Sequence, residues 1–226
     1  MAGEPYLQYT LPYITSFLDN KSCQAVFIPY AGVTISWDEY SAIVTERFAS
    51  LNCKVHSIHH QKDPVMAIQK SELIIIGGGN TFQLLKHLYD NNIIDIIKQK
   101  VKYNTPYIGW SAGANMACPT LCTTNDMPII EPPSFKALNL VPFQINPHYT
   151  DLHPEGHAGE TRDARIEEFI ELTPSSYVVG LREGNILKVV DNRIEILGNK
   201  KVKIFKKGIE SHEIDNQSNL NFLLNI

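Results

Sequence analysis

Ser111 lies in Gly109-Trp110-Ser111-Ala112-Gly113, a GxSxG pattern. Flanking glycines remove the β-carbons that would block a sharp strand-to-helix bend, and such a bend pushes a serine hydroxyl toward substrate. The plain alternative is a small-residue turn that lets a helix pack tightly on a sheet. A nucleophilic serine needs an imidazole as general base. His148, in Gln144-Ile145-Asn146-Pro147-His148, closes an apolar stretch before the chain turns polar, so its position is more fixed than that of His153 or His157. An acid must orient that imidazole. Glu183, in a turn leaving a strand, and Asp126, in Thr124-Asn125-Asp126-Met127-Pro128, compete for the role, and either could be an ordinary turn or cap residue.

Two further features concern substrate. Gly77-Gly78-Gly79-Asn80-Thr81 follows an apolar strand and opens a helix, so its backbone N–H groups are available to an oxyanion. It lacks the GxGxxG spacing and the GK[ST] of a P-loop, which weakens a nucleotide reading. Arg162 falls at the positive end of a helix, where a cation is mildly disfavoured unless it meets an anion. That anion is either a local carboxylate, Glu160 or Asp163, or the carboxylate of a substrate, which a guanidinium grips with two hydrogen bonds. A rival metal site from His148, Asp151, His153 and His157 has suitable ligand types but no recognised spacing.

These residues need a scaffold, and the periodicity supplies one. Ala25–Tyr30, Val55–Ile58, Leu73–Ile76 and the run ending at Gly109 read as strands. Leu73–Ile76 has no polar alternation, so both its faces should be buried. Helical stripes separate them: Trp37, Tyr40, Val44, Phe48 and Leu51; Phe82, Leu85, Leu88 and Tyr89; Ile93, Ile94, Ile97 and Val101. Asp63-Pro64 offers an N-cap and first-turn proline, and Tyr6–Leu18 predicts a helix with Pro12 as an awkward guest. A proline-rich loop from Thr123 to Pro147 and a helix with stripe Ile166, Phe169 and Ile170 follow. The chain then turns to strands at Tyr177–Val179, Ile186–Val190, Ile194–Leu197 and Val202–Phe205, with Asp191-Asn192 as a hairpin turn. The expectation is one α/β domain over residues 1–226: a doubly wound, mostly parallel sheet, helices on both faces, and an antiparallel C-terminal edge.

Composition excludes several classes. With 20 basic against 24 acidic residues, nothing points to nucleic acid or an anionic membrane surface as a partner. No apolar run approaches the ~18 residues of a membrane span. Cys23, Cys53, Cys118 and Cys122 form no CxxC pair, and the first residues carry no secretory pattern, so the reducing cytoplasm is the expected setting.

The segments IIIGGGNTFQLL, IGWSAGANMACPT, TTNDMPI, QINPH and PEGHAGETRDARI together resemble the peptidase E family of serine α-aspartyl dipeptidases. The resemblance implies a flavodoxin-like fold akin to class I glutamine amidotransferases, and hydrolysis of dipeptides with an N-terminal aspartate. It makes Ser111 the nucleophile and His148 the base. It puts the oxyanion donors at the N–H groups of Gly79 and Ala112, and assigns Arg162 to the substrate's aspartyl side chain. Its third catalytic position falls on Glu183 or Asp126; Glu183 is favoured, with Asp126 kept as a site residue that shapes the substrate pocket. No metal and no cofactor are implied; the partners are small peptides, and the protein is a monomer or homodimer. Two departures stand out. The family begins with a further hydrophobic strand that the residues ahead of Tyr6 do not match, which predicts a sheet missing that strand or rearranged. It also commonly has proline where Arg182 stands. Competing readings are a cyanophycinase-like β-aspartyl peptidase, a non-catalytic binding or sensor protein, and an α/β-hydrolase esterase, which would need an acid before a late histidine such as His212.

Overall fold

In the computed structural model, which describes residues 5–152, 156 and 159–225, the apolar runs become a parallel ladder. Strands β1 (Cys23–Ile28), β2 (Cys53–Ser57), β3 (Leu73–Ile76) and β4 (Tyr107–Gly109) lie in the order β2-β1-β3-β4. Alternation sends their side chains into two separate cores. Val26, Ile28, Ile74 and Ile76 pack with Ile68 of α3 (Pro64–Lys70), Leu85 and Leu88 of α4 (Thr81–Asp90), Ile97 of α5 (Ile94–Lys102) and Met116 of α6 (Ala112–Ala117). Ala25, Phe27, Leu73 and Ile75 face the other way, against Ile14 of α1 (Leu11–Phe17) and Val44 and Phe48 of α2 (Trp37–Ala49). Helices thus cover both faces, as a strand without polar residues demands.

A second ladder continues the fold. Its strands β5 (Gln144–Pro147), β6 (Tyr177–Leu181), β9 (Val202–Lys206) and β10 (Ile209–Ile214) run in the order β10-β9-β6-β5, with only β5 and β6 parallel. Helix α7 (Arg162–Leu172) buries Ile166 and Ile170 against Val178 and Phe205. Strands β7 (Ile186–Val190) and β8 (Arg193–Leu197) form a hairpin through Asp191, whose φ of 53° is the left-handed value such turns need.

Among the described residues no ladder joins β4 to β5. The facing edge of β5 is instead dressed by side chains: Ile145 N–H donates to Cys118 Sγ at 3.2 Å, and Ile145 C=O accepts from Asn115 Nδ2 and Thr123 Oγ1, each at 2.9 Å. Asn125 Nδ2 donates to Pro147 C=O at 2.6 Å. Helix α6 and the loop after it therefore satisfy backbone groups that a neighbouring strand would otherwise take. Burial pushes the Cys118 thiol up to about 12, so this sulfur packs rather than reacts.

Four details differ from the sequence reading. Tyr6–Leu18 is a 3₁₀ turn, Gln8–Thr10, followed by α1, and Pro12 sits in the first turn, where its missing N–H costs no helical bond. The second strand spans Cys53–Ser57, and Ile58 begins a 3₁₀ turn. Strand β10 escaped the pattern because within it only Ile214 is buried. Cys23 and Cys53, aligned across β1 and β2, are joined as a disulfide, a pairing that a search for CxxC does not detect. No helix among the described residues is long and apolar enough to cross a membrane.

Candidate active site

Ser111 has φ 54° and ψ −114°, a conformation that a non-glycine residue holds only where its surroundings enforce it. Two glycines do the enforcing. A β-carbon on Gly113 would lie 2.3 Å from the Ile76 carbonyl oxygen, and one on Gly109 would lie 2.5 Å from that of Gly113, so α6 leaves the sheet at contact distance. The Tyr107 hydroxyl donates to the Gly113 carbonyl at 2.6 Å and locks the bend. The turn is thus a nucleophile-elbow geometry built by close backbone approach.

The glycine-rich turn abuts this bend, since a β-carbon on Gly78 would come within 2.9 Å of Ser111 Cβ. Gly79 has φ 132°, and a β-carbon there would lie 2.2 Å from the Ala31 carbonyl oxygen. Asn80 caps α4 by accepting from Gln83 N–H at 3.0 Å. The N–H of Gly77 goes to Ile28, that of Gly78 to Tyr40 and that of Asn80 to Ala31. Among the described residues Gly79 N–H and Ala112 N–H have no protein acceptor, which leaves both available to an oxyanion.

Behind the elbow lies an aromatic network that the sequence reading missed. Tyr40 Oη accepts from Gly78 N–H at 2.7 Å and from Trp110 Nε1 at 3.1 Å, and lies 3.0 Å from Tyr6 Oη. Trp110 Nε1 also donates to Tyr6 Oη at 2.6 Å. Burial, and then its tyrosine neighbour, raise the Tyr40 phenol far above its usual range, so it stays neutral and serves as a fixed hydroxyl. Its only sequence signal was a place in the apolar stripe of α2, which hides the polar tip of an amphipathic ring.

The parallel pairing of β5 with β6 sets Pro147 opposite Leu181, so the chains emerge side by side. His148 follows β5 at φ 53°, and its Nδ1 lies 2.8 Å from Glu183 Oε1. The turn carrying Glu183 is anchored by Arg182, whose Nη2 donates to Asp151 at 3.0 Å and to Glu213 at 2.6 Å. Its Nη1 donates to the Lys201 carbonyl at 2.8 Å, and the guanidinium stacks 5.2 Å over the Tyr149 ring. Where the resemblance leads one to expect a proline, ion pairs and a cation–π contact restrain the turn instead. Among the described residues, no hydrogen bond joins Ser111 to His148. Ser111 and the His148–Glu183 pair are carried by separate ladders.

Among the described residues no hydrogen bond joins Asp126 to the His148 imidazole. Asp126 Oδ2 accepts from Thr81 N–H at 2.7 Å and from the Thr81 hydroxyl, at the first turn of α4 beside the glycine loop. Arg162 opens α7 and is half-buried, with Thr161 as cap accepting from Ala164 N–H at 3.1 Å. Neither local carboxylate holds it: Glu160 pairs with Arg165 at 3.4 Å, and Asp163 pairs with Lys203 and accepts from Tyr149 Oη, each at 2.5 Å. Burial and then the charge of Arg165 lower the Arg162 pKa, and the charge of Asp126 opposes them, so Asp126 and Arg162 act on each other electrostatically. In the rival metal set Asp151 is committed to Arg182, and His153 and His157 lie outside the described residues.

The model of peptidase family S51 matches residues 1–197. A peptidase E from Nostoc sp. is 48% identical over 222 residues, covering 98% of this chain and 92% of the relative. One from Salmonella typhimurium is 48% identical over 211 residues, covering 93% and 92%. The solved structure of a peptidase from an acI-B1 actinobacterium superposes with a TM-score of 0.70 at 16% identity, over 96% of this chain and 93% of that one; at that identity the likeness concerns the fold.

Proposed function

The chain belongs to peptidase family S51, and on that premise we propose a serine dipeptidase that cleaves after an N-terminal aspartate, with Ser111, His148 and Glu183 as its catalytic groups. The observation that carries the reading is Ser111 held at a strained elbow against a glycine turn that has a free N–H. In the reaction His148 takes the Ser111 proton while Oγ bonds to the aspartyl carbonyl carbon. The oxyanion is held by Gly79 and Ala112 N–H. Collapse breaks the C–N bond as His148 returns the proton to the leaving amine, and water then releases aspartate from the acyl-enzyme by the same base. Glu183 fixes the imidazole tautomer through Nδ1.

Arg162 supplies the aspartate preference. A half-buried guanidinium whose neighbouring carboxylates are engaged elsewhere rewards a substrate carboxylate that neutral side chains lack. Asp126 borders the glycine turn and shapes the pocket from that side. A single domain over residues 1–226, a cytoplasmic setting and action on small peptides as monomer or homodimer belong to the same reading. In a reducing cytoplasm Cys23 and Cys53 would stand as thiols.

The test is the rate of hydrolysis of Asp-Leu, β-Asp-Leu, Ala-Leu and a nitrophenyl ester by the wild type. Asp-Leu should be cleaved best. Preference for β-Asp-Leu would favour a β-aspartyl peptidase, preference for the ester an esterase, and no turnover of any substrate a binding protein.

A further inference from the structure

Away from the elbow, side chains from two elements meet at one carboxylate oxygen. Asp38, in the first turn of α2, presents Oδ1 at 2.9 Å from His59 Nε2 and 2.6 Å from His60 Nε2. Both histidines belong to the 3₁₀ turn that leaves β2. The three ligand atoms lie within 4.8 Å of one another.

The histidine that matters most is held from behind. The His59 side chain is only 13% exposed, and its Nδ1 lies 2.7 Å from Ser57 Oγ, which is itself 2.7 Å from the buried Ser41 Oγ. The Trp37 ring stands edge-on to His59 with centroids 5.8 Å apart. A hydroxyl pair suits either tautomer of the imidazole. When Nε2 carries the proton and donates to Asp38, Nδ1 accepts from Ser57; when Nε2 is a ligand, Nδ1–H donates to the Ser57 oxygen, which also accepts from the Ser41 hydroxyl. An outer hydrogen bond that fixes ring orientation at the far nitrogen is the usual support of a metal-binding histidine.

We propose that Asp38, His59 and His60 form a site for a borderline divalent transition metal such as Zn²⁺, water completing the coordination. Two imidazole nitrogens and one carboxylate oxygen suit Zn²⁺, Ni²⁺ or Cu²⁺, whereas Ca²⁺ and Mg²⁺ prefer oxygen ligands. The metal would tie the start of α2 to the turn after β2. Because it binds only the folded arrangement, it stabilises the protein. Ser111, His148 and Glu183 take no part in it.

The test titrates tag-free, chelator-treated protein with ZnCl₂ by calorimetry, with Ni²⁺ quenching of Trp37 emission as a second readout. The wild type should take up one equivalent of Zn²⁺ lost in Asp38→Asn and weakened at least about tenfold in His60→Ala, with no such uptake of Mg²⁺. Saturable Ni²⁺ quenching should disappear in Trp37→Phe. His60 is well exposed, so His60→Ala tests the site without threatening the fold. Zn²⁺ uptake unchanged in both ligand variants, or no uptake by the wild type, would overturn the site, whatever the peptidase activity.

Discussion

His148 Nδ1 lies 2.8 Å from Glu183 Oε1, while Asp126 is spent on the N-terminus of α4. Two carboxylates that compete for one role in the sequence thus have different hydrogen-bond partners. Glu183→Gln should lower kcat for Asp-Leu by roughly 10²-fold or more, the range expected when general-base chemistry is impaired. Asp126→Asn should have the smaller effect on kcat. Steady-state kinetics of the two variants check this, and the reverse ranking would transfer the orienting role to Asp126.

Arg162 has no ion-pair partner among the described residues. Arg162→Met should reduce kcat/KM for Asp-Leu by about 10-fold to 100-fold, matching the ~1.5–3 kcal/mol of a charge-assisted hydrogen bond. Turnover of Ala-Leu, however slow, should be unaffected. An equal loss for both dipeptides would remove Arg162 from specificity.

Tyr40 accepts from both the glycine turn and Trp110, the residue before the nucleophile. Tyr40→Phe would leave the Gly78 N–H without its acceptor, which costs about 1–3 kcal/mol. The expected result is a lower Tm together with a fall in kcat and little change in KM. A Tm drop with unchanged kcat would limit Tyr40 to stability.

Arg182 holds the Asp151 carboxylate below its usual range, its hydrogen bond contributing most. A folded pKa below the unfolded one gives stability that is present above the unfolded value near 3.8 and lost as pH falls through the folded one. The Asp151 carboxylate is exposed, so the effect is small. Asp151→Asn should therefore lower Tm slightly at neutral pH and converge with the wild type in acid. A constant Tm gap down to pH 2 would contradict this.

The fold was legible where burial is one-sided or complete. Strand β3, without a polar residue, announced a sheet covered on both faces, and Asp63 announced its helix as a cap. The sharp bend at Ser111 and the glycine turn beside it were legible because strained turns need small residues nearby. What stayed hidden depends on contacts distant in sequence. The contact of His148 with Glu183 follows from the register of Pro147 opposite Leu181, which no local pattern encodes. The role of Arg182 needed Asp151 and Glu213, and the hydroxyl of Tyr40 was masked by the ring's place in a hydrophobic stripe.

Ser111 as nucleophile is tested most directly by kcat/KM for Asp-Leu in Ser111→Ala, with folding checked by circular dichroism. A loss of roughly 10⁴-fold or more is expected in a folded protein. Undiminished Asp-Leu cleavage by the folded variant would contradict it.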